Sequence, residues 1–219
     1  MTGEVELDIG RIHSLVVAGW TGRDVTALEK HIRELEAIGV KRPKSTPIFY
    51  RNAASLLTTA DMIEVLGEYS SGEIEYVIHA IDGDLFVGVG SDHTDRKAET
   101  INVSLSKQMC AKPVSRKTWK LSDVTPHWDQ LILRSHAVID GARTLYQEGS
   151  VASMRTPEEL IRLYTGGGSM NAGTSMFCGT LAVHGGIRPA TMFEMELHDP
   201  LLKRSIVHAY KIRTLPDEG

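Results

Sequence analysis

The chain has 219 residues, of which 42% are hydrophobic and 24% charged. This composition is typical of a globular domain that buries a sizeable core without disulfides, and we expect one domain over residues 1–219. The 24 Lys and Arg against 28 Asp and Glu give a formal charge of -4. No basic run is long enough to follow a phosphate backbone, so we expect no nucleic-acid partner.

The cysteines and the apolar segments indicate a protein of a reducing compartment. Cys110 and Cys178 form no C-x-x-C pair of the kind found in zinc sites and redox motifs. The first residues lack a basic stretch followed by an apolar one, and no apolar run reaches the roughly 20 residues that span a bilayer. We therefore expect a cytoplasmic location and no membrane partner.

The spacing of apolar residues predicts a domain made mostly of strands. A strand over residues 15–18 precedes a helix in which apolar residues recur every three or four positions over residues 25–38. Two Asp-Gly dipeptides, at residues 82–83 and 140–141, are typical hairpin turns, and Thr156 begins a second helix with a capping-box sequence. Further strands are predicted over residues 48–50, 73–81, 84–90, 131–139, 142–147, 175–178 and 192–197.

Three carboxylates are expected to meet at the open end of the first hairpin. A two-residue turn pairs Glu75 with Gly90 and, two steps further, Glu73 with Asp92, all on one side of the sheet. Side chains at such positions lie roughly 5 to 7 Å apart, and carboxylates this close favour a hard divalent ion such as Mg²⁺, Mn²⁺ or Ca²⁺. The alternative is a hydrated acidic cluster at a frayed hairpin end, and a bulge at Gly88 or Gly90 would break the register.

A histidine and a glutamate lie one turn apart on the first predicted helix. His31 and Glu34 are three residues apart, so their side chains share a face of the helix. A carboxylate beside an imidazole holds its tautomer and raises its basicity, which is the arrangement needed to take a proton from water. The alternative is a partly buried structural histidine beside a solvated glutamate.

Eight segments of the chain carry motifs in a recognisable order. They are, in chain order, the stretch ending His31-Ile32-Arg33-Glu34, Pro47-Ile48-Phe49-Tyr50-Arg51, Glu73-Ile74-Glu75, Asp92-His93-Thr94-Asp95-Arg96, Lys107 before Cys110 to Pro113, Tyr146-Gln147-Glu148-Gly149-Ser150, Cys178-Gly179-Thr180-Leu181, and residues 188–196. In this order and near family spacing, the chain from about residue 16 to about residue 212 resembles the fumarylacetoacetate hydrolase superfamily. Within that superfamily it resembles a divergent branch of the DUF2848 type.

The resemblance implies a fold, a cofactor and a class of reaction. The fold is α+β and mostly β, the superfamily's mixed β-sandwich roll with few short helices, and the assembly is a homodimer. Glu73, Glu75 and Asp92 would hold Mg²⁺ or Mn²⁺, with Ca²⁺ as an alternative. The ion would bind neighbouring oxygens of a 2-oxo acid or acylpyruvate-like substrate and stabilise the enolate that develops as a carbon-carbon bond breaks.

The same resemblance implies roles for five further residues. Lys107 would place positive charge beside the enolate, and His31, oriented by Glu34, would deprotonate the attacking water. Arg51 and Thr180 would hold the substrate carboxylate. Hydrolytic carbon-carbon cleavage is the leading interpretation; the alternatives are an isomerase, decarboxylase or dehydratase acting on a small 2-oxo acid, or a non-catalytic metal-dependent binder of small molecules.

Departures from the family pattern indicate a changed substrate pocket. Leu181 stands where the family's T-G-T-P segment has proline, Arg51 replaces the usual lysine, and the family's early N-Y pair is absent. His93 alternates to the face opposite Asp92, so we expect it behind the ligands or on the surface. Cys110 and Cys178 are expected to be small packed hydrophobic residues rather than site residues.

Overall fold

A computed structural model describes residues 3–37 and 42–218, with the side chains of residues 31, 34, 35 and 37 outside its description. Its helices are α1 Val25–Ala37, α2 Arg96–Glu99, α3 Val103–Gln108, α4 Leu121–Val124 and α5 Pro157–Thr165. Its strands are β1 Glu4–Glu6, β2 Ser14–Gly19, β3 Ile48–Asn52, β4 Leu57–Thr58, β5 Met62–Leu66, β6 Ser70–Ser71, β7 Ile74–Ile81, β8 Asp84–Ser91, β9 Thr94–Asp95, β10 Lys112–Pro113, β11 Lys117–Lys120, β12 Ile132–Ile139, β13 Ala142–Ser150, β14 Thr174–Thr180, β15 Met192–Asp199 and β16 Arg204–Leu215.

Two large sheets carry the fold. One has seven strands in the order β1-β11-β8-β7-β14-β2-β3, and the other has five in the order β13-β12-β15-β16-β5. Both are mixed, because β14 runs parallel to β2 and β16 runs parallel to β5 while the other neighbours in the two sheets are antiparallel. The prediction of an α+β fold dominated by strands, with few short helices, is confirmed.

The main core lies between the two sheets. Tyr76 and Ile78 from the seven-stranded sheet and Leu133 and Phe193 from the five-stranded sheet belong to one buried apolar cluster. A second cluster covers the opposite face of the seven-stranded sheet and includes Val77. Strand β7 is therefore buried on both faces, which explains why its apolar residues run on without alternation.

The predicted helices and hairpins are confirmed with small changes of boundary. Strands β7 and β8 pair in the predicted register, with Glu75 opposite Gly90, and β12 and β13 form the second hairpin with one irregularity after Ser135. Helix α5 starts after Thr156, whose side chain accepts a hydrogen bond from the Glu159 backbone N–H, and ends at Gly166 in the left-handed conformation.

The largest difference from the sequence prediction is strand β16, twelve residues long, which had no predicted counterpart. Its buried residues Ile206 and Tyr210 are four apart rather than two, because half-buried and exposed side chains stand between them. Buried and exposed side chains therefore do not alternate regularly along β16, so the sequence pattern does not predict it. The strand forms because it pairs with β15 and β5. No helix in the described residues is long and apolar enough to cross a membrane.

Candidate metal centre

The first hairpin brings its three carboxylates together as the register predicts. Strand β8 ends at Ser91, and the backbone N–H of Asp92 donates to the carbonyl oxygen of Glu73 at 3.0 Å, which extends the pairing one step beyond the strands. Oxygen atoms of Glu73, Glu75 and Asp92 all lie within 4.8 Å of one another. Of the three, Glu75 and Asp92 are buried and Glu73 is half-buried.

Two buried lysines contact the carboxylate of Asp92. Lys107, on α3, donates from Nζ to Oδ2 of Asp92, and the same Nζ lies 3.9 Å from Oε2 of Glu73. Lys112, on β10, has its Nζ 3.2 Å from Oδ1 of Asp92 and donates to the carbonyl oxygen of His93 at 2.6 Å. Burial by itself would raise the pKa of Asp92, but the two ammonium groups outweigh it and lower that pKa to about 2. Asp92 is therefore an anion at neutral pH.

Glu75 is held by a backbone donor rather than by a cation. The N–H of Gly179 donates to Oε2 of Glu75 at 2.6 Å. Burial, followed by the negative charge of Asp92, raises the pKa of Glu75 well above its ordinary value. Gly179 has φ of 104°, and a Cβ atom at this position would lie 1.8 Å from Oγ1 of Thr21. Only glycine can therefore place this N–H against the glutamate.

Arg96 fixes the third carboxylate. Its Nη2 lies 3.1 Å from Oε1 of Glu73, and its Nη1 donates to Oε2 of Glu99 at 2.9 Å. Its Nε donates to the hydroxyl of Ser71 at 2.7 Å. The short helix α2 that carries Arg96 begins at a cap formed by the Asp95 side chain. The arginine thus joins two acidic side chains at the edge of the cluster.

The three carboxylates fit a hard divalent cation. Oδ1 of Asp92 is buried and, despite its ion pair with Lys112, accepts no hydrogen bond; Glu75 lacks a cationic partner among the described residues. An all-oxygen donor set suits Mg²⁺, Mn²⁺ or Ca²⁺ better than a soft metal. Among the described residues, four carboxylates at this cluster face three cations: Glu73, Glu75, Asp92 and Glu99 against Arg96, Lys107 and Lys112.

Thr180 lies beside this cluster. It pairs with Glu75 across strands β14 and β7. Its hydroxyl donates to the carbonyl oxygen of Ile74 at 2.7 Å and accepts from Nε2 of Gln147 at 2.8 Å. Oε1 of Gln147 in turn accepts from the backbone N–H of Ile74 at 3.0 Å. Thr180 is half-buried at the end of β14, close enough to the ligands to line their surroundings.

Arg51 is not brought to the carboxylates. Successive side chains of a strand point to opposite faces, and on β3 it is Tyr50 that faces the site, with its ring centroid 5.8 Å from Nζ of Lys107. Arg51 donates to the hydroxyl of Ser14 at 3.1 Å and lies 6.0 Å from the ring of Tyr164. Arg51 therefore lies on the face of β3 opposite Tyr50, and its expected substrate-binding role stays a prediction.

The helical pair His31 and Glu34 lies on α1, which forms as predicted. Both side chains fall outside the described residues, so their expected role stays a prediction.

His93 and the two cysteines are buried. His93 points away from the carboxylates, and burial lowers its pKa to about 3, so the ring is neutral. Cys178 lies fully buried in the core beside Tyr76, and burial raises the pKa of its thiol well above the usual range. Burial raises the pKa of Cys110 to about 11. Both cysteines are thus protonated, packed residues, as expected.

Lys112 and Gly179 contact the carboxylates of the site, although neither has a predicted role. Both lie in segments that match the family, but their partners are set by the fold. A lysine inside a short apolar segment next to a proline was a usable signal, since a lysine is almost never fully buried unless it is paired. The positive φ at Gly179 had no counterpart in the sequence.

A comparison with known protein families shows which family the chain matches. A family model described as "Protein of unknown function (DUF2848)" matches residues 18–210. The chain belongs to the DUF2848 family. The match spans the carboxylates and lysines of the site, while no curated protein sequence matches significantly.

Solved structures share the fold of this DUF2848 protein. It is similar to 2-keto-3-deoxy-D-arabinonate dehydratase complexed with magnesium and 2,5-dioxopentanoate, with a TM-score of 0.65, 15% identity, and coverage of 94% of this chain and 75% of that one. It is also similar to a 2-hydroxyhepta-2,4-diene-1,7-dioate isomerase from Mycobacterium marinum, with a TM-score of 0.65, 13% identity, and coverage of 95% and 77%. A yeast fumarylacetoacetate hydrolase family protein has a TM-score of 0.65, 15% identity, and coverage of 94% and 95%. The DUF2848 protein therefore has the fold of the fumarylacetoacetate hydrolase superfamily.

Proposed function

We propose that the protein is a metal-dependent enzyme acting on a small 2-oxo acid, and that its reaction is hydrolytic cleavage of a carbon-carbon bond. The observation that carries the proposal is the convergence of Glu73, Glu75 and Asp92 within 4.8 Å, with a buried lysine against them. The fold adds support, because structures with this fold include a magnesium-bound complex of a dehydratase and an isomerase of an unsaturated diacid.

The carboxylates and Lys107 would have different roles in the reaction: the carboxylates would bind the metal ion, and Lys107 would contact the substrate oxygen. A divalent ion held by Glu73, Glu75 and Asp92 would supply Lewis-acid polarisation of the 2-oxo group. The Lys107 ammonium has three N–H donors, of which its hydrogen bond to Asp92 uses one. A remaining donor would stabilise the negative charge that develops on the substrate oxygen. In a site closed to water such a contact is strong, since the effective dielectric constant is low.

Hydrolysis also needs an activated water. His31 is the residue proposed to take its proton, with Glu34 orienting the imidazole. Both residues lie on α1, which is the next element of the chain after β2. Strand β2 is next to β14, the strand that leads into Gly179 and Thr180. The proposed water-activating helix therefore follows a strand that runs toward the carboxylate cluster.

Dehydration is the second candidate reaction. It is favoured by the structural similarity to the dehydratase whose complex holds magnesium and 2,5-dioxopentanoate. Isomerisation, decarboxylation and metal-dependent binding without catalysis use the same three carboxylates and stay as alternatives. Dehydration and decarboxylation need no water nucleophile, so the requirement for His31 separates them from hydrolysis.

Metal-dependent turnover is the expected result of a substrate screen. Acylpyruvates, 2,4-dioxo acids, oxaloacetate and 2-keto-3-deoxy acids would be incubated with the protein and Mg²⁺ or Mn²⁺, with products followed by mass spectrometry. Chelation should abolish turnover and added metal should restore it. Lys107→Met should lower kcat by about 100-fold or more, while Lys97→Met, at an exposed lysine on α2, should not change it.

The products decide between the reactions. Hydrolysis adds one water and yields two fragments, dehydration removes one water, and isomerisation leaves the mass unchanged. His31→Ala should abolish hydrolysis with metal binding intact. Turnover that persists after chelation, or that Lys107→Met leaves unchanged, would contradict the proposed mechanism.

A further inference from the structure

A single tyrosine hydroxyl contacts both chain neighbours of Asp92. Tyr210, on β16 of the five-stranded sheet, donates from its hydroxyl to Oγ of Ser91 at 2.8 Å. The same oxygen lies 2.9 Å from Nδ1 of His93. Ser91 and His93 flank Asp92 and point to the face opposite its carboxylate, as alternation along an extended chain requires. The hydroxyl thus holds the chain on both sides of the proposed ligand.

The hydrogen bonds have a consistent direction. Because the Tyr210 proton is given to Ser91, the Tyr210 oxygen accepts from Nδ1–H of His93. Nε2 of His93 is within 2.9 Å of the Ser70 hydroxyl, which donates to it in the neutral ring. The chain of hydrogen bonds therefore runs from Ser70 through His93 and Tyr210 to Ser91.

Ser91 links this chain to a second proposed ligand. Its Oγ accepts from the backbone N–H of Glu73 at 3.2 Å, in addition to the bond from Tyr210. Glu73 lies one residue before strand β7, where the pairing with β8 is ending. The serine hydroxyl therefore supports the Glu73 backbone at the end of the ladder. Tyr210 is connected in this way to the backbone of both Glu73 and Asp92.

These hydrogen-bonded side chains lie in the core, where a polar group without a partner would lower the stability of the fold. Ser91 and His93 have no exposed surface, Tyr210 has none, and Ser70 is 4% exposed. Tyr210 packs against the ring of Phe193, with centroids 5.8 Å apart, inside an apolar cluster that a phenylalanine would also fill. A buried hydroxyl and imidazole in such a place cost free energy unless they are hydrogen-bonded, but fully bonded they fix one conformation.

We infer that Tyr210 is a positioning residue for the metal centre, acting through Ser91 and His93 on the orientation of Asp92 and Glu73. The inference rests on the proposed function to the extent that Glu73, Glu75 and Asp92 bind a divalent ion. It assigns to the five-stranded sheet a part in a site whose carboxylates come from β7 of the other sheet and from the residues next to β7 and β8. Groups that orient metal ligands from behind change metal affinity even though they do not touch the ion.

Mn²⁺ affinity of Tyr210→Phe tests this role. The variant removes one oxygen and keeps the ring, and it is expected to raise the Kd for Mn²⁺, measured by calorimetry and by electron paramagnetic resonance, by about 10-fold or more. Tyr146→Phe is the matched control, because Tyr146 is also fully buried and its hydroxyl accepts from the Arg188 backbone N–H at 3.1 Å. The control should change the Kd by less than about 2-fold.

A second variant tests whether Tyr210 acts through Ser91. Ser91→Ala removes the acceptor shared by Tyr210 and Glu73, and it should weaken Mn²⁺ binding as well. The double variant Tyr210→Phe/Ser91→Ala should raise the Kd by less than the product of the two single effects, since both changes break the hydrogen bond between Tyr210 and Ser91. Thermal unfolding of each variant shows that the titrated protein is folded.

The outcomes separate this inference from the proposed function. An unchanged Kd in folded Tyr210→Phe, or equal effects of Tyr210→Phe and Tyr146→Phe, overturns the positioning role while the metal site stands. Absence of Mn²⁺ binding in the unaltered protein overturns both. Metal binding that depends on Tyr210, without turnover of any 2-oxo acid, supports the positioning role and overturns the proposed reaction.

Discussion

An Asp92→Asn variant is expected to lose divalent-metal binding and turnover, and to unfold with a free energy about 3 to 5 kcal/mol lower than that of the unaltered protein. Asp92 has no exposed surface, and Lys107 and Lys112 each contact one of its oxygens. Among the described residues, Asp92 is the one carboxylate that pairs with both buried ammonium groups, and the amide removes its negative charge. Chemical denaturation gives the change in free energy, and calorimetric titration with Mn²⁺ gives the loss of binding.

The control for Asp92→Asn removes one of the lysines that it leaves without a partner. In Asp92→Asn/Lys112→Met, an apolar side chain of similar length replaces the fully buried Lys112. An unpaired buried charge is strongly destabilising, so removing the Lys112 ammonium should restore part of the lost stability, while Lys107 stays without its Asp92 partner. Metal binding should not return, because the ligand is still absent. Wild-type Mn²⁺ affinity in the single variant would contradict the assignment of Asp92.

Gly179→Ala is expected to lower the free energy of unfolding by about 3 kcal/mol or more, from about 1 to 3 kcal/mol of backbone strain together with overpacking of similar size. The residue has φ of 104°, and its new Cβ would meet Oγ1 of Thr21 at 1.8 Å. Because the Gly179 N–H holds Oε2 of Glu75, the variant should also weaken metal binding. Chemical denaturation and Mn²⁺ titration measure the two effects.

Gly166→Ala is the matched control for Gly179→Ala. Gly166 has φ of 68°, and a Cβ there would meet no atom within 4 Å, so only the strain of the left-handed conformation applies, about 1 to 2 kcal/mol. Adding Thr21→Ala to Gly179→Ala removes the closest contact and should restore part of the stability. Equal losses in Gly166→Ala and Gly179→Ala would show that the contact with Thr21 does not matter.

The carboxylate cluster was predictable because its register is set locally. Asp82 and Gly83 both have positive φ, 54° and 85°, as a tight two-residue turn requires, and every pair of β7 and β8 follows from that turn. The short distance between Glu73 and Asp92 can therefore be predicted from their positions relative to the turn. No knowledge of the rest of the fold was needed.

The remaining site contacts depend on packing between residues that are far apart in the sequence, so they could not be predicted from the spacing of residues. Gly179 is 104 residues from Glu75, and Tyr210 is 119 residues from Ser91. Arg51 illustrates the same limit on a smaller scale: the sequence predicted a strand at residues 48–50 but not which face of it meets the site, and alternation placed Tyr50 there instead. The homodimer and the role of His31 and Glu34 stay predictions.

The position of the metal is the most direct measurement of the central claim. Crystals grown with Mn²⁺ would be measured at the manganese absorption edge. The account predicts an anomalous difference peak about 2.0 to 2.4 Å from oxygens of Glu73, Glu75 and Asp92, as expected for a hard divalent ion held by carboxylates. A peak at another place, or no peak among these three side chains at saturating Mn²⁺, would contradict it.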